Sequence, residues 1–179
     1  MNDSLKNKLK SNALTLGSWI TLGHPSIAEI LASAGYDWLV VDLEHTTISI
    51  EQAGELIRVI DLCGVAPLVR LTSNHPDQIK RIMDAGAHGI VVPMVNSVED
   101  AARAVAATRY APQGIRGVGL ARAQKFGTGF SDYLQWQKDG VVVIVQIEHK
   151  DALNHLEEIF SVPGVDGFII GPYDLSCSM

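Results

Sequence analysis

"PDQIKRIMDAGAHGIVVPMV", residues 76–95, has the pattern of one helix, one turn and one strand in succession. Its first half places apolar side chains three or four residues apart, at Ile79, Ile82 and Met83, which is the spacing of one face of an α-helix. Gly86 follows, at a position where a helix C-cap favours a residue that tolerates positive φ. The second half is a continuous run of Ile and Val, which is typical of a strand covered on both faces.

The same order of amphipathic helix, glycine and apolar strand recurs in segments 26–45, 50–71 and 151–175, with Gly35 and Gly64 at the equivalent positions in the first two. Helices and strands that alternate in this way, with right-handed crossovers, indicate an α/β protein with a parallel sheet. We count about seven strands, at residues 16–22, 38–43, 67–71, 90–95, 141–147 and 168–170, with a weaker one near 117–121.

Two α/β architectures could be built from these strands. A doubly wound sheet usually has a glycine-rich phosphate loop after its first strand, but residues 21–26 read TLGHPS, which is not such a loop. The strands therefore favour a TIM (β/α)8 barrel. Such barrels usually have about 250 residues, so the 179 residues here predict a single barrel domain, 1–179, that lacks about the last strand and helices.

Composition and charge exclude several classes of protein. The chain is 47% hydrophobic, carries a net charge of −6 and has no lysine or arginine cluster, so we expect no nucleic-acid partner. No apolar run approaches the length of a membrane span, and the start, MNDSLKNKLKSNA, is too polar for a secretory signal. Cys63 and Cys177 have no ligand-like spacing and indicate reduced thiols in a cytoplasmic protein.

Polar residues collect where the predicted strands end. They are Asp42, Glu44 and His45 at the second strand, Arg70 at the third, Gln146 and Glu148 at the sixth, and Asp174 after the seventh. In a barrel these ends share one rim, where the catalytic residues of the fold lie. Burial of an unpaired charge is costly, so we expect these side chains to contact one another, a metal or a substrate.

Glu148 and Asp174 are separated by about one βα unit and therefore lie on neighbouring strands. Two close carboxylates repel each other unless a cation lies between them. A pair of carboxylates, with water and substrate oxygens at the other positions, suits a hard ion such as Mg2+ or Mn2+. The alternative is that each acid only caps the helix that follows it.

Five motifs together resemble the HpcH/HpaI family of aldolases: DLEH (42–45), VR (69–70), VVPMVNSVEDA (91–101), QIE (146–148) and GPYDLS (171–176). The resemblance runs from about Gly17 to the last residue. It implies a TIM barrel of the phosphoenolpyruvate/pyruvate type and a class II, divalent-metal-dependent aldolase that uses Mg2+, Mn2+ or Co2+. Its substrates would be 4-hydroxy-2-oxo acids, such as 4-hydroxy-2-oxoheptanedioate and 2-dehydro-3-deoxyglucarate, cleaved to pyruvate and an aldehyde through a metal-stabilised pyruvate enolate.

The resemblance also implies a role for each matching residue. Glu148 and Asp174 would bind the metal, and Arg70 would hold the keto oxygen and stabilise the developing enolate charge. For Arg70 the alternative is an ion pair with a nearby acid. His45 would transfer the hydroxyl proton, since histidine is the residue type that ordinarily exchanges a proton near neutral pH, and Asp42 would orient the groups that act on the substrate.

The same resemblance assigns substrate binding to Gln146, through its side chain, and to the backbone at Tyr173 and Asp174, which would bind the pyruvate carboxylate. Asp84 would raise the basicity of His45, although from spacing alone it is a helix-end acid on the opposite side of its own barrel. A neighbouring subunit would have to present it. The implied assembly is a hexamer, a trimer of dimers that exchange their C-terminal helices.

The chain departs from the family pattern at two places. His149 replaces a threonine after QIE and is either a further hydrogen-bond donor or a loop residue. The loop after the second strand reads EHTTIS, where the family frequently has EHAP. The sequence therefore does not identify the aldehyde half of the substrate. Separately, segment 114–119 either binds an anionic group through Arg116 or is a turn before a weak strand.

Three other functions compete with this prediction. A Schiff-base aldolase needs a lysine at a strand end, and no predicted strand ends in one. An acyl-CoA lyase of the malyl-CoA or citramalyl-CoA type shares the carboxylate pair but would need a basic surface for the CoA phosphates. A non-catalytic assembly protein is the third, since an incomplete barrel would leave open strand edges.

Overall fold

Six parallel strands form a single sheet in which the strands follow one another in sequence order. This is seen in a computed structural model that describes residues 4–179. The strands are β1 (Gly17–Ile20), β2 (Trp38–Asp42), β3 (Ala66–Arg70), β4 (Gly89–Val92), β5 (Val142–Ile147) and β6 (Gly167–Ile170). The predicted α/β class and parallel sheet are confirmed.

The helices lie before, between and after the strands. They are α1 (Leu5–Lys10), α2 (Pro25–Ala32), α3 (Ile50–Leu62), α4 (Pro76–Ala85), α5 (Val98–Thr108), α6 (Phe130–Asp139), α7 (Leu156–Phe160) and α8 (Pro172–Ser178), with 3-10 turns at Arg122–Gly127 and Lys150–Asn154. Local sequence sets their ends. Ser49 and Gln52 form a capping box at the start of α3, and Gly86 ends α4 at a φ of 102°.

The sheet curls into a partial barrel with two hydrophobic layers. The main core lies between the sheet and the helices outside it. A smaller inner cluster contains Leu5 of α1 together with Val40, Leu68, Val91 and Val142, which project from the concave face. The amide of Gln146 on β5 reaches the carboxylate of Glu44 beyond β2 at 3.5 Å. Because β3 and β4 lie between β2 and β5 in the sheet, this contact can form only if the sheet is curled.

Two expectations about the elements were wrong. Residues 117–121 form no strand, and only an isolated bridge joins Tyr110 to Arg116 nearby. Ile115, Val118 and Leu120 are exposed, so this segment has no core contact that would favour a sheet. The strand predicted as the sixth is therefore β5, and the seventh is β6. The helix expected within 151–164 is divided into a 3-10 turn and the short α7.

Coverage of the sheet also differs from the prediction at one edge. β2 and β4 are buried along nearly their whole length, as the continuous apolar runs indicated, whereas Phe168 and Ile170 of β6 are exposed. Within residues 4–179, no helix is long and apolar enough to cross a membrane. The polar start considered for a secretory signal includes residues 1–3, which lie outside the described part of the chain.

Candidate active site

The inner rows of the sheet change from apolar to polar at their carboxyl ends. Alternate residues of a strand project to the same face. Three strands show the change: Trp38, Val40 and Asp42 on β2; Ala66, Leu68 and Arg70 on β3; and Val142, Ile144 and Gln146 on β5, followed by Glu148. The polar side chains are thus carried to one edge of the curled sheet by the strands that build its inner cluster.

Arg70 and Asp42 form a two-point ion pair. Nε of Arg70 donates to Oδ1 of Asp42 at 2.9 Å, and Nη2 donates to Oδ2 at 2.6 Å. Glu44 lies 3.4 Å from Nε, and the guanidinium stacks 4.6 Å from the ring centre of Trp19. Burial raises the pKa of Asp42, but the hydrogen bonds from Arg70 and from two backbone N–H groups outweigh it and lower that pKa overall. The pair is therefore ionised and held in one orientation.

The loop between β2 and α3 is folded around the same carboxylate. Oδ1 of Asp42 accepts hydrogen bonds from the backbone N–H groups of Glu44 at 3.0 Å and His45 at 3.3 Å. The hydroxyl of Thr46 donates to the Asp42 carbonyl and accepts from the N–H of Ile48. This loop presents His45 at the edge with its side chain 60% exposed, and places Nε2 of His45 3.7 Å from Glu44.

Glu148 is only 2% exposed, and both of its carboxylate oxygens are engaged. Oε1 accepts from the backbone N–H of Met94 at 2.6 Å, and Oε2 accepts from the side-chain amide of Gln146. The carbonyl oxygen of that same amide is buried without a hydrogen-bond partner. An unpaired buried acceptor is costly, so a donor or a cation is expected opposite Gln146.

The electrostatics of this cluster favour a cation. Asp42 and Glu44 contact a single arginine, Arg70, and the charge of Glu148 also acts on that arginine. Burial raises the pKa of Glu44, and the negative charge of Glu148 raises it further. The carboxylates offer oxygen ligands, which suit a hard divalent ion. The residues present therefore fit the divalent metal that the sequence predicted.

Asp174, the second predicted ligand, lies at the same edge as Glu148. β5 and β6 are paired neighbours, and Asp174 is in the first turn of α8, directly beyond β6. The turn between them touches Glu148, because a Cβ on Gly171 would lie 2.8 Å from Oε2 of Glu148. Residues 4–179 contain no cluster of three or more His, Cys, Asp or Glu side chains suited to a metal.

Tyr173 is in the same first turn of α8, with its side chain 86% exposed at the edge. For His149, the structure favours the second of its two predicted roles, that of a loop residue. Its Nδ1 accepts from the backbone N–H of Asp151 at 3.3 Å and caps the following 3-10 turn.

Asp84 and Arg116 lie away from this cluster and bind each other. Asp84 ends α4, at the opposite edge of the sheet, and its carboxylate accepts from Arg116 at 2.5 Å. The Arg116 side chain is 0% exposed, donates to the hydroxyl of Tyr133 at 2.7 Å and stacks on Tyr110. Because the guanidinium already binds groups of the protein itself, the structure favours a turn at 114–119 over an anion-binding site. Action of Asp84 on His45 from a neighbouring subunit stays a prediction.

Three residues of the cluster had no assigned role in the sequence. Trp19 stacks on Arg70, but nothing in the β1 sequence distinguishes it from a core residue. Glu44 was recognised only as one polar residue of the DLEH motif, and its contact with Gln146 depends on the curl of the sheet. Met94 contributes a backbone group, for which the sequence has no signal.

Comparison with known proteins agrees with this geometry. The family model described as HpcH/HpaI aldolase/citrate lyase matches residues 15–179. A 4-hydroxy-2-oxo-heptane-1,7-dioate aldolase from Salmonella dublin is 42% identical over 181 aligned residues, which cover 100% of this chain and 68% of that protein.

Solved structures give the same result. An HpcH/HpaI aldolase/citrate lyase family protein from Burkholderia cenocepacia J2315 superposes with a TM-score of 0.90 at 39% identity, over 97% of this chain and 70% of that one. An HpcH/HpaI aldolase from Desulfitobacterium hafniense DCB-2 superposes with a TM-score of 0.87 at 33% identity, over 98% and 68%. This chain therefore belongs to the HpcH/HpaI aldolase/citrate lyase family.

Proposed function

We propose that this protein is a class II aldolase that cleaves 4-hydroxy-2-oxo acids reversibly to pyruvate and an aldehyde. Its similarity to a 4-hydroxy-2-oxo-heptane-1,7-dioate aldolase supports this substrate class. One structural observation carries the proposal. Two carboxylates, Asp42 and Glu44, contact one fixed arginine at the edge of the sheet, and the pKa of Glu44 is raised by burial and by the charge of a third carboxylate, Glu148.

Glu148 and Asp174 would hold the divalent cation, Mg2+, Mn2+ or Co2+. When bound, the cation supplies positive charge against the negative charge that develops on the 2-oxo group as the carbon–carbon bond breaks. The orphaned carbonyl oxygen of Gln146 accepts a hydrogen bond from the substrate or from water in this arrangement. The backbone at Tyr173 and Asp174 binds the carboxylate of the pyruvate half.

Arg70 would bind the keto oxygen. Nε and Nη2 are directed at Asp42, which leaves the N–H groups of Nη1 for the substrate. Because the ion pair and the stacking on Trp19 fix the guanidinium before substrate arrives, it need not reorganise as charge develops. Such preorganised donors are among the largest contributions to catalysis.

His45 would accept the proton of the 4-hydroxyl group as the carbon–carbon bond breaks, and this proton, or one from water, would then be delivered to C3 of the pyruvate half. The reverse direction would use the same transfers in the opposite order. The imidazole is exposed at the edge, and the backbone N–H of His45 donates to Oδ1 of Asp42. In this proposal Asp84 of a neighbouring subunit supports His45, since the two residues lie at opposite edges of one chain.

The finer points of architecture belong to the same proposal. The curled sheet is part of a (β/α)8 barrel, the described residues form one domain, and the protein assembles as a hexamer built as a trimer of dimers. The cytoplasm is the proposed location, with no nucleic-acid or membrane partner.

The test is a pyruvate-release assay over a panel of 4-hydroxy-2-oxo acids. The protein is first treated with a chelator, and Mg2+, Mn2+ or Co2+ is then added back. We expect activity to be lost on chelation and restored by at least one ion, and Glu148→Ala or Asp174→Ala to abolish turnover while the circular dichroism spectrum is kept. Pyruvate release that survives chelation, or that survives both substitutions, would refute the proposal.

A further inference from the structure

Met94 has a backbone conformation that non-glycine residues rarely adopt. Its φ is 52°, in the left-handed region. Residues 4–179 contain three other non-glycine residues with positive φ: Asn12, Lys125 and Phe126. Of these four residues, Met94 is the one that contacts Glu148 at the carboxyl edge of the sheet. Strained backbone of this kind persists where the surrounding structure requires it.

The conformation directs two backbone donors across the end of β5. β4 ends at Val92, and Pro93 has no N–H to donate. The N–H of Met94 then donates to Oε1 of Glu148 at 2.6 Å, and the N–H of Val95 donates to the carbonyl of Gln146 at 3.3 Å. The Met94 side chain is 48% exposed, so its burial does not explain the backbone strain.

We infer that Met94 is a positioning residue for Glu148. The left-handed turn aims one N–H at one oxygen of the carboxylate, while Gln146 holds the other. The two donors fix the carboxylate plane and leave its remaining lone pairs for a cation. Such partners behind a ligand orient it and tune its affinity for the metal. This inference rests on the proposed function, in which Glu148 binds the metal.

The backbone requirement predicts a specific order among substitutions. Met94→Val should disfavour positive φ and turn the N–H away from Glu148, because a β-branched residue is an outlier there. Met94→Gly removes the same side chain but adopts this φ without strain. Asn12→Val is the matched control, since Asn12 has a φ of 54° and is exposed in the connection between α1 and β1.

The measurement is Mn2+ affinity by isothermal titration calorimetry. We expect Met94→Val to weaken Mn2+ binding by about 10- to 100-fold. Met94→Gly and Asn12→Val should stay within about threefold of the wild type, since neither change disturbs the N–H that faces Glu148. Wild-type affinity in folded Met94→Val, or an equal loss in Met94→Gly, would overturn the inference.

Glu148→Ala separates this inference from the proposed function. If the wild type does not bind Mn2+, or if Glu148→Ala binds it equally well, the metal site itself is wrong and the inference falls with it. If Met94→Val does not fold, amide hydrogen exchange at Met94 is compared between the wild type and Glu148→Ala. We expect exchange at least tenfold faster in Glu148→Ala, and an unchanged rate would overturn the inference.

Discussion

Removal of the Asp42 charge tests whether this carboxylate holds Arg70 for catalysis or only stabilises the fold. Asp42→Asn keeps the shape of the side chain but loses the charge that receives two hydrogen bonds from Arg70, at 2.9 and 2.6 Å. The asparagine carbonyl can still accept from one set of donors, either the backbone N–H groups of the loop or the guanidinium, but its NH2 group faces the other set.

The structure gives the expected size of the effect on stability. Both side chains are largely buried, with relative exposures of 15% for Arg70 and 4% for Asp42. Loss of one partner of a fully buried ion pair costs about 3–5 kcal/mol. Since Glu44 remains 3.4 Å from the guanidinium and asparagine keeps an acceptor, we expect the free energy of unfolding to fall by about 1.5–3 kcal/mol.

The catalytic effect should be larger than stability alone explains. A guanidinium that is no longer fixed must be reoriented in every turnover, so kcat for pyruvate release should fall by about 100-fold or more, the scale of a lost transition-state donor. KM should change less, because Arg70 acts mainly on the charge that develops during cleavage.

Asp61 provides the matched control at the opposite edge of the sheet. It accepts from Arg122 at 2.6 Å and lies 3.2 Å from His88, and its pKa is lowered because hydrogen bonds to these two residues outweigh the effect of burial. Asp61→Asn should lose less stability in urea unfolding than Asp42→Asn, because Asp61 is 32% exposed, and should keep its kcat. If Asp42→Asn lost the expected stability but kept its kcat, the reasoning about Arg70 would be wrong.

Three further predictions follow from the same contacts. Arg70→Lys should lower kcat by about two to three orders of magnitude in the pyruvate assay, because a lysine cannot bind Asp42 at two points and also reach the substrate. The contribution of Asp42 to stability should depend on pH, because its pKa is lowered in the folded protein. This contribution is present above the unfolded pKa of about 3.9 and is lost as pH falls through the folded value. The stability gap between wild type and Asp42→Asn, followed by urea unfolding at each pH, should therefore narrow below about pH 4, and a constant gap would contradict the pairing. Tyr133→Phe removes one of the acceptors of the fully buried Arg116. It should cost about 1–3 kcal/mol in thermal unfolding and leave Mn2+ affinity unchanged, whereas a loss of affinity would link this cluster to the site.

The sequence was sufficient for the order of the elements because each signal is local. The spacing of Ile79, Ile82 and Met83 predicted α4, and Gly86 predicted its end, where the structure has a φ of 102°. The false strand at 117–121 shows the limit of such signals. A short run that includes Val118 and Leu120 is apolar enough for a strand, but whether it pairs depends on a free sheet edge and on core contacts, which are not local.

The candidate site was predictable only where its members follow strand ends. Parallel strands place their carboxyl ends at one edge, which brought Asp42, Arg70 and Glu148 together in the prediction. The contact between Glu44 and Gln146 was not predictable, because it joins strands that are not neighbours and exists only when the sheet curls. The N–H of Met94 was not predictable either, since any residue type has one and its direction depends on a rare φ.

The register of the sheet explains why the site and the core cannot vary independently. Asp42 lies directly opposite Arg70 between β2 and β3, in the same alignment that pairs Val40 with Leu68 in the inner cluster. A slip of either strand by one residue would turn its whole row to the other face. Arg70 would then point into the layer under the helices, and Leu68 would leave the inner cluster. The apolar residues that set the register of β2 and β3 therefore also place the ion pair on which the proposed chemistry depends.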